Sequence, residues 1–390
     1  MMGTLCDRLF SKSRGEKFRP FLLKGSWPVI VAAILVFWAP EGLSDTQKLV
    51  WAYTTYIVYG MAYTFINIPY GSLATVMTKD PGERASLSGA RAIGGMLGTV
   101  SCNIVVPFML ATFSDDLSKA YLYSITILGV IAFLGYLFTY STTSENIRHE
   151  PTESDESVSF MQTVSTLKNN KPFLCVSIAS TLMLTAMLGQ MSILYYYLSE
   201  NLSGALWIIS FNAIVQVGTT LVLASMVGKL TKKFGAKKLM LTGFSMTAVI
   251  ALIAFLLPTG VYGTLFFFIL GTPFLLLPNI LIWANVADCI DYNYEISGQR
   301  NEGVIYSSYS FMRKVGQAIA GFIAGMGLSI IGYQAGLEIQ SETTLFGLKA
   351  FMFLVPAVAM TLCFLLYKFM WTLGEDSQEA EPQSPQESMH

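Results

Sequence analysis

The chain has 390 residues, is 53% hydrophobic and 13% charged, and carries a net charge of −1, with a mean hydropathy of +0.53. A soluble domain carries about 25% charged residues, so this composition excludes a water-soluble enzyme and defines a polytopic membrane protein with no nucleic-acid partner. Backbone groups must satisfy one another inside a bilayer, and no segment alternates with period two as a barrel strand does, so the expected fold is all-α.

The chain opens on a charged segment with Arg8, Lys12, Arg14, Lys17 and Arg19, which lacks an apolar stretch of its own, so no cleavable signal peptide is expected. Apolar runs then place ten spans near 21–40, 49–77, 86–113, 121–141, 173–198, 204–228, 239–257, 262–287, 304–332 and 346–371. The second runs from Leu49 to Met77 without a charge, longer than a perpendicular crossing needs, which implies tilt or extension past the hydrocarbon. A polar stretch rich in Ser, Thr and Glu follows the fourth span and suits a flexible linker. Lys229, Lys232, Lys233, Lys237 and Lys238 follow the sixth without an acid. Pro273 and Pro278 in the eighth remove helix hydrogen bonds; they suit a bent, moving helix, although kinks also occur in static spans. Cys6, Cys102, Cys175, Cys289 and Cys363 form no CxxC and read as reduced, small apolar residues.

The organisation expected is a four-span unit over 1–141, a central cytoplasmic linker over 142–172, a six-span unit over 173–372 and a disordered cytoplasmic tail over 373–390. The basic clusters at the start and after the sixth span face the cytoplasm, which puts both termini inside. "VGKLTKKFGAKKLM" and "MGTLCDRLFSKSRGEKFRP" share a form, glycines interleaved with cations running into the next helix. Two spans precede this loop in the six-span unit and none in the other. Parallel repeats of this kind belong to transporters of the major facilitator class, so twelve spans are expected, ten of them here and two missing before Met1.

The densest signal is "VADCIDYNYEISGQRNEGVIYSSYSFMRKVGQAIAGF". Asp288 and Asp291 share a helix face, Arg300 and Glu302 follow, and Arg313 and Lys314 lie well inside the ninth span. A cation at the centre of a span costs about 2.5–3.5 kcal/mol on insertion scales, so this pair needs an aqueous cavity or counter-charges. The acids are either membrane-flanking partners of loop cations or a salt-bridge gate made and broken between states. Arg91, seven residues beyond Arg84 and set among small residues, is either a substrate or gating group or one pinned by a neighbouring helix carbonyl. Lys314 is suited to exchange partners, while Arg313 either joins it or snorkels along a groove. Tyr70, Trp283 and the run Tyr195, Tyr196, Tyr197 are candidates to stack on an apolar face of a substrate, with an interface belt preferred for the run. Asn279, Asn212 and Gln216 suit hydrogen bonds either to hydroxyls or to other helices, and Ser310 is grouped with the substrate candidates.

With "DRLFSKSRGEKFRP", "NIPYGSLATVMTKDPGERASLSGARAIGGMLG" and the stretch from Ala287 to Phe322, the chain resembles the glycoside-pentoside-hexuronide:cation symporters over essentially its whole length. The resemblance implies a twelve-helix carrier that takes up a sugar with Na+ or H+ by alternating access. It places Arg91 at a sugar-site Arg and Lys314 at a Lys beside the coupled sugar and cation sites. Asp288, Asp291 and Arg300 fall at a charged network that closes the inward side, and Arg84 is grouped with these gate candidates. Asn67 stands where the best-studied member has an acidic sugar ligand, and Gly71 where it has a stacking Trp, so that member's selectivity is not implied. The family's paired cation-site Asp residues fall just upstream of an "MG" like Met2-Gly3, and no Asp or Glu lies well inside a span of this chain, so the coupling-ion site is not evident in it.

Two cations near the implied site, an Asn in place of the acid, and "MRKVGQA", similar to the glucuronide-carrier branch, point to an anionic sugar such as a hexuronide or glucuronide. The expected protein is a monomeric sugar:cation symporter of the inner, cytoplasmic membrane, with no metal site or cofactor beyond the coupling ion. The alternatives are a truncated inactive remnant, or a lipid carrier or membrane sensor on the same fold. Catalysis is not expected: the two histidines, His149 and His390, lie outside the spans, and no nucleophile motif or metal-ligand spacing is present.

Overall fold

The computed structural model describes residues 18–373 except 39, 41, 147–169, 298–301 and 338. Arg8, Lys12, Arg14 and Lys17, most of the linker, the gate candidate Arg300 and the tail lie outside the described residues. The described residues form α1 (Arg19–Phe37), α2 (Asp45–Met77), α3 (Pro81–Thr112), α4 (Leu117–Thr142), α5 (Lys171–Tyr196), α6 (Trp207–Phe234), α7 (Ala236–Leu256), α8 (Val261–Ser297), α9 (Glu302–Ile330), α10 (Glu342–Lys349) and α11 (Val355–Met370). A π-helical turn, Ala350–Leu354, joins α10 to α11 as one rod, and another, Tyr197–Asn201, extends α5. These ten rods fall on the ten predicted spans.

Eight of the rods are long and apolar enough to cross a membrane. The other two, α2 and α9, are long but diluted by Tyr, Thr, Ser, Asn and Gly, and they carry Asn67, Tyr70, Ser310, Arg313 and Lys314. Exposed Leu134, Phe138, Ile104 and Phe108 are the kind of surface that acyl chains cover.

Local chemistry sets the helix starts. Ser44 and Gln47 form a capping box on α2. Asp80 caps α3 by accepting the Glu83 N–H at 2.7 Å, with Pro81 in the first turn. Asp116 caps α4, and the backbone N–H of Lys119 holds its carboxyl below the usual carboxylate range. The basic run after the sixth span is helical rather than a loop: α6 continues to Phe234, and Gly235 alone, at φ 80°, turns the chain into α7. Lys232 and Lys233 sit in the last turn of α6, where the helix dipole favours cations.

The chain divides into two compact units, Met1–Thr166 with Ile290–Ser310, and Leu167–Cys289 with Phe311–His390. In the first, α1 packs on α2 and α4, and α3 packs on α4. Glu145, just beyond α4, accepts the N–H groups of Phe18 and Arg19 at 2.6 and 2.8 Å, which satisfies two orphan donors at the start of α1. In the second, α11 packs on α5 and α7. Gly243 of α7 lets α8 approach so closely that a Cβ there would meet the Pro278 ring. Gly316 of α9 plays the same part against the Thr181 backbone of α5, where the Thr181 hydroxyl donates to the Met312 carbonyl at 3.1 Å.

The tyrosine run at the end of α5 splits. Tyr195 is exposed as a belt residue would be, but Tyr197 is 1% exposed, packs edge-on against Phe353 and shares a hydrogen bond with Thr264 at 3.3 Å. The helix carries successive side chains to different faces, so adjacent tyrosines cannot share one environment.

Candidate functional site

The first unit builds its polar centre on α3. The buried residues in the first turns of this helix are Gly82, Arg84, Ala85, Ser88 and Gly89; the four small ones leave room for the two arginines among close-packed neighbours. Arg84 and Arg91 are seven residues apart, about two turns, and so lie on one face. Arg84 is 4% exposed; its Nε donates to the Thr78 carbonyl at 3.0 Å and its Nη2 makes an ion pair with Asp291. Of the predicted gate residues, the structure therefore joins Arg84 to Asp291. Asp288 is half-buried one turn earlier on α8.

Arg91 sits among aromatic rings. Its Nη2 donates to the Tyr306 hydroxyl at 2.6 Å. The guanidinium carbon lies 5.1 Å from the centre of the Tyr70 ring and 5.8 Å from that of Tyr306, within the range of cation–π attraction. Asn67 lies three residues before Tyr70 on the same helix face and is half-buried. Ser310, four residues after Tyr306, has a buried hydroxyl with no hydrogen-bond partner among the described residues. Tyr306 is 2% exposed, and its ring lies directly against Gly71, where a Cβ would overlap it. The predicted residues Tyr70 and Arg91 are thus brought together, around a tyrosine that the sequence does not single out. Its signal was indirect: Gly71, noted as the absence of an aromatic, is the space that the Tyr306 ring fills.

The second unit holds the other candidates. The Arg313 guanidinium lies 4.8 Å from the centre of the Trp283 ring, with Nη1 3.4 Å from the Ser180 hydroxyl. Lys314 is exposed and Asn279 half-buried. Asn212 and Gln216 face a cavity of about 90 Å³, which Gln190, Thr247 and Thr272 also line; Gln190 donates to the Met352 carbonyl at 2.8 Å.

Arginines seated inside apolar helices, with aromatic and hydroxyl partners, are the mark of a substrate path through a membrane, and with this all-helical fold they define a multi-pass membrane transporter. The family profile described as "MFS/sugar transport protein" matches residues 1–373, and the chain belongs to that family. It is 32% identical to the uncharacterized symporter YjmB of Bacillus subtilis, across 98% of this chain and 82% of that one. It is 30% identical to a glucuronide carrier protein homolog of Escherichia coli, across 92% and 78% of the two chains, and 30% identical to a putative sulfoquinovose importer of Salmonella typhimurium, across 96% and 78%. Among solved structures, the fucose:proton symporter FucP of E. coli matches with a TM-score of 0.63 at 14% identity, over 95% of this chain and 87% of that one. The proton:xylose symporter XylE matches with a TM-score of 0.60 at 13% identity, over 95% and 84%. These two likenesses establish the major facilitator fold, and the relatives are transporters rather than enzymes.

Proposed function

We propose that the protein takes up an anionic sugar, of the hexuronide or glucuronide class, together with Na+ or H+ by alternating access. The observation that carries this reading is Arg91, a guanidinium hydrogen-bonded to the Tyr306 hydroxyl and within cation–π range of the Tyr70 and Tyr306 rings. A carboxylate binds a guanidinium through two parallel charge-assisted hydrogen bonds, and an apolar sugar face stacks on a tyrosine such as Tyr70. The buried Ser310 hydroxyl and the amide of Asn67 are suited to sugar hydroxyls. The cargoes named for two relatives, a glucuronide and sulfoquinovose, are both sugars that bear an anion, and the named symporters among the relatives and fold neighbours support ion coupling.

In this reading Arg313 and Lys314 supply further positive potential, Asn279 a hydroxyl contact, and Arg84 with Asp288, Asp291 and Arg300 a cytoplasmic gate. The four spans of 1–141 and the six of 173–372 are the two repeats of such a carrier. The protein is a monomer of the inner membrane with both termini in the cytoplasm. The test is competition for binding to the purified protein: a phenyl glucuronide should be displaced by other glucuronides but poorly by an uncharged galactoside. Equal competition by the galactoside contradicts the anionic reading.

A further inference from the structure

We propose that the Tyr306 hydroxyl is a place-holder for the anionic group of the substrate on Arg91, and that its displacement loosens the segment Ile290–Ser310 from α3. The inference rests on the anionic-sugar reading of Arg91. The segment groups with the first unit and is fastened at two points to one face of α3. Asp291, near its start, pairs with Arg84, and Tyr306, near its end, accepts from Arg91 at 2.6 Å.

The two fastenings differ in kind. Arg84 meets an ionised carboxylate, and Arg91 meets a neutral phenol. Both bonds are charge-assisted from the arginine side, but a carboxylate adds a charge of its own and a second, parallel acceptor, which the phenol lacks. An anionic ligand that reaches Arg91 therefore outcompetes the phenol, whereas a neutral sugar hydroxyl is no better an acceptor than the one already there. Tyr306 then acts as a selectivity element as well as a fastening: it sets the strength that an incoming group must exceed.

Its seat is specific. The ring occupies space that only a glycine at position 71 leaves open, and it is 2% exposed. One turn further along the same segment, the buried Ser310 hydroxyl has no hydrogen-bond partner among the described residues.

The test uses the protein in lipid nanodiscs with D-glucuronate and D-glucose as probes. Affinity is read by calorimetry, and release of the segment by amide hydrogen exchange over residues 302–310, followed by mass spectrometry. Tyr306→Phe should tighten glucuronate binding by about tenfold or more, the worth of one hydrogen bond to a charged group, leave glucose unaffected, and speed this exchange without ligand. Gly71→Ala keeps the hydroxyl but removes its seat, and should do the same. In the unaltered protein, glucuronate should speed the exchange and glucose should not. Weaker or unchanged glucuronate binding in both variants overturns the place-holder role, and unchanged exchange overturns the fastening. Failure of glucuronate to bind any of the proteins overturns instead the anionic reading, and the ligand-free exchange still reports whether Tyr306 holds the segment.

Discussion

Two arginines on one face of α3 meet partners of different character, and the difference is measurable. The Arg84 side chain is 3% exposed and that of Asp291 29%, so removing the acid takes a paired carboxylate away from a buried guanidinium. Losses from breaking such a pair reach about 3–5 kcal/mol, whereas replacing both members with apolar groups is often neutral. Asp291→Ala should therefore lower the thermal midpoint sharply, and Arg84→Leu with Asp291→Leu should recover most of the loss. Additive losses in the double variant would show that the pair is not coupled. Both residues stood out in the sequence as charges beside or within apolar spans, but their pairing joins positions 84 and 291 through tertiary packing, which no local pattern encodes. Tyr306 was illegible for another reason: tyrosine is common in spans, and its meaning lies in the vacancy at Gly71 opposite it.

Helix positions were legible because an apolar run long enough to cross a bilayer has few other solutions. Helix ends were less so, because apolarity stops at the edge of the hydrocarbon while hydrogen bonding does not. α8 therefore continues to Ser297 and carries Asp288 and Asp291 on regular helix, and α6 continues to Phe234 with Lys229, Lys232 and Lys233 aboard. Pro273 and Pro278 lie within one continuous helix, and Pro278 acts as a packing surface against Gly243. A side chain at position 243 would press on the Pro278 ring and the Phe274 carbonyl. Gly243→Val should cost about 1–3 kcal/mol by overpacking, read as a lowered thermal midpoint with retained helical circular dichroism. An unchanged midpoint would mean that α7 and α8 part without cost.

The class of the protein follows from composition alone, since 13% charge over 390 residues cannot wet a soluble surface, and its family was readable from separated motifs. The grouping of Ile290–Ser310 with the first unit was not, because it depends on Asp291 and Tyr306 finding α3 from more than two hundred residues away. The cargo and the coupling ion are decided by transport itself. The most direct measurement is uptake of a radiolabelled glucuronide into proteoliposomes under an imposed Na+ or proton gradient, for the unaltered chain and for Arg91→Lys. The expected result is gradient-driven accumulation that falls by about tenfold or more in Arg91→Lys, because an ammonium cannot offer the planar, bidentate fork. No accumulation under either gradient, or equal accumulation by Arg91→Lys, would contradict an anionic-sugar symporter centred on Arg91.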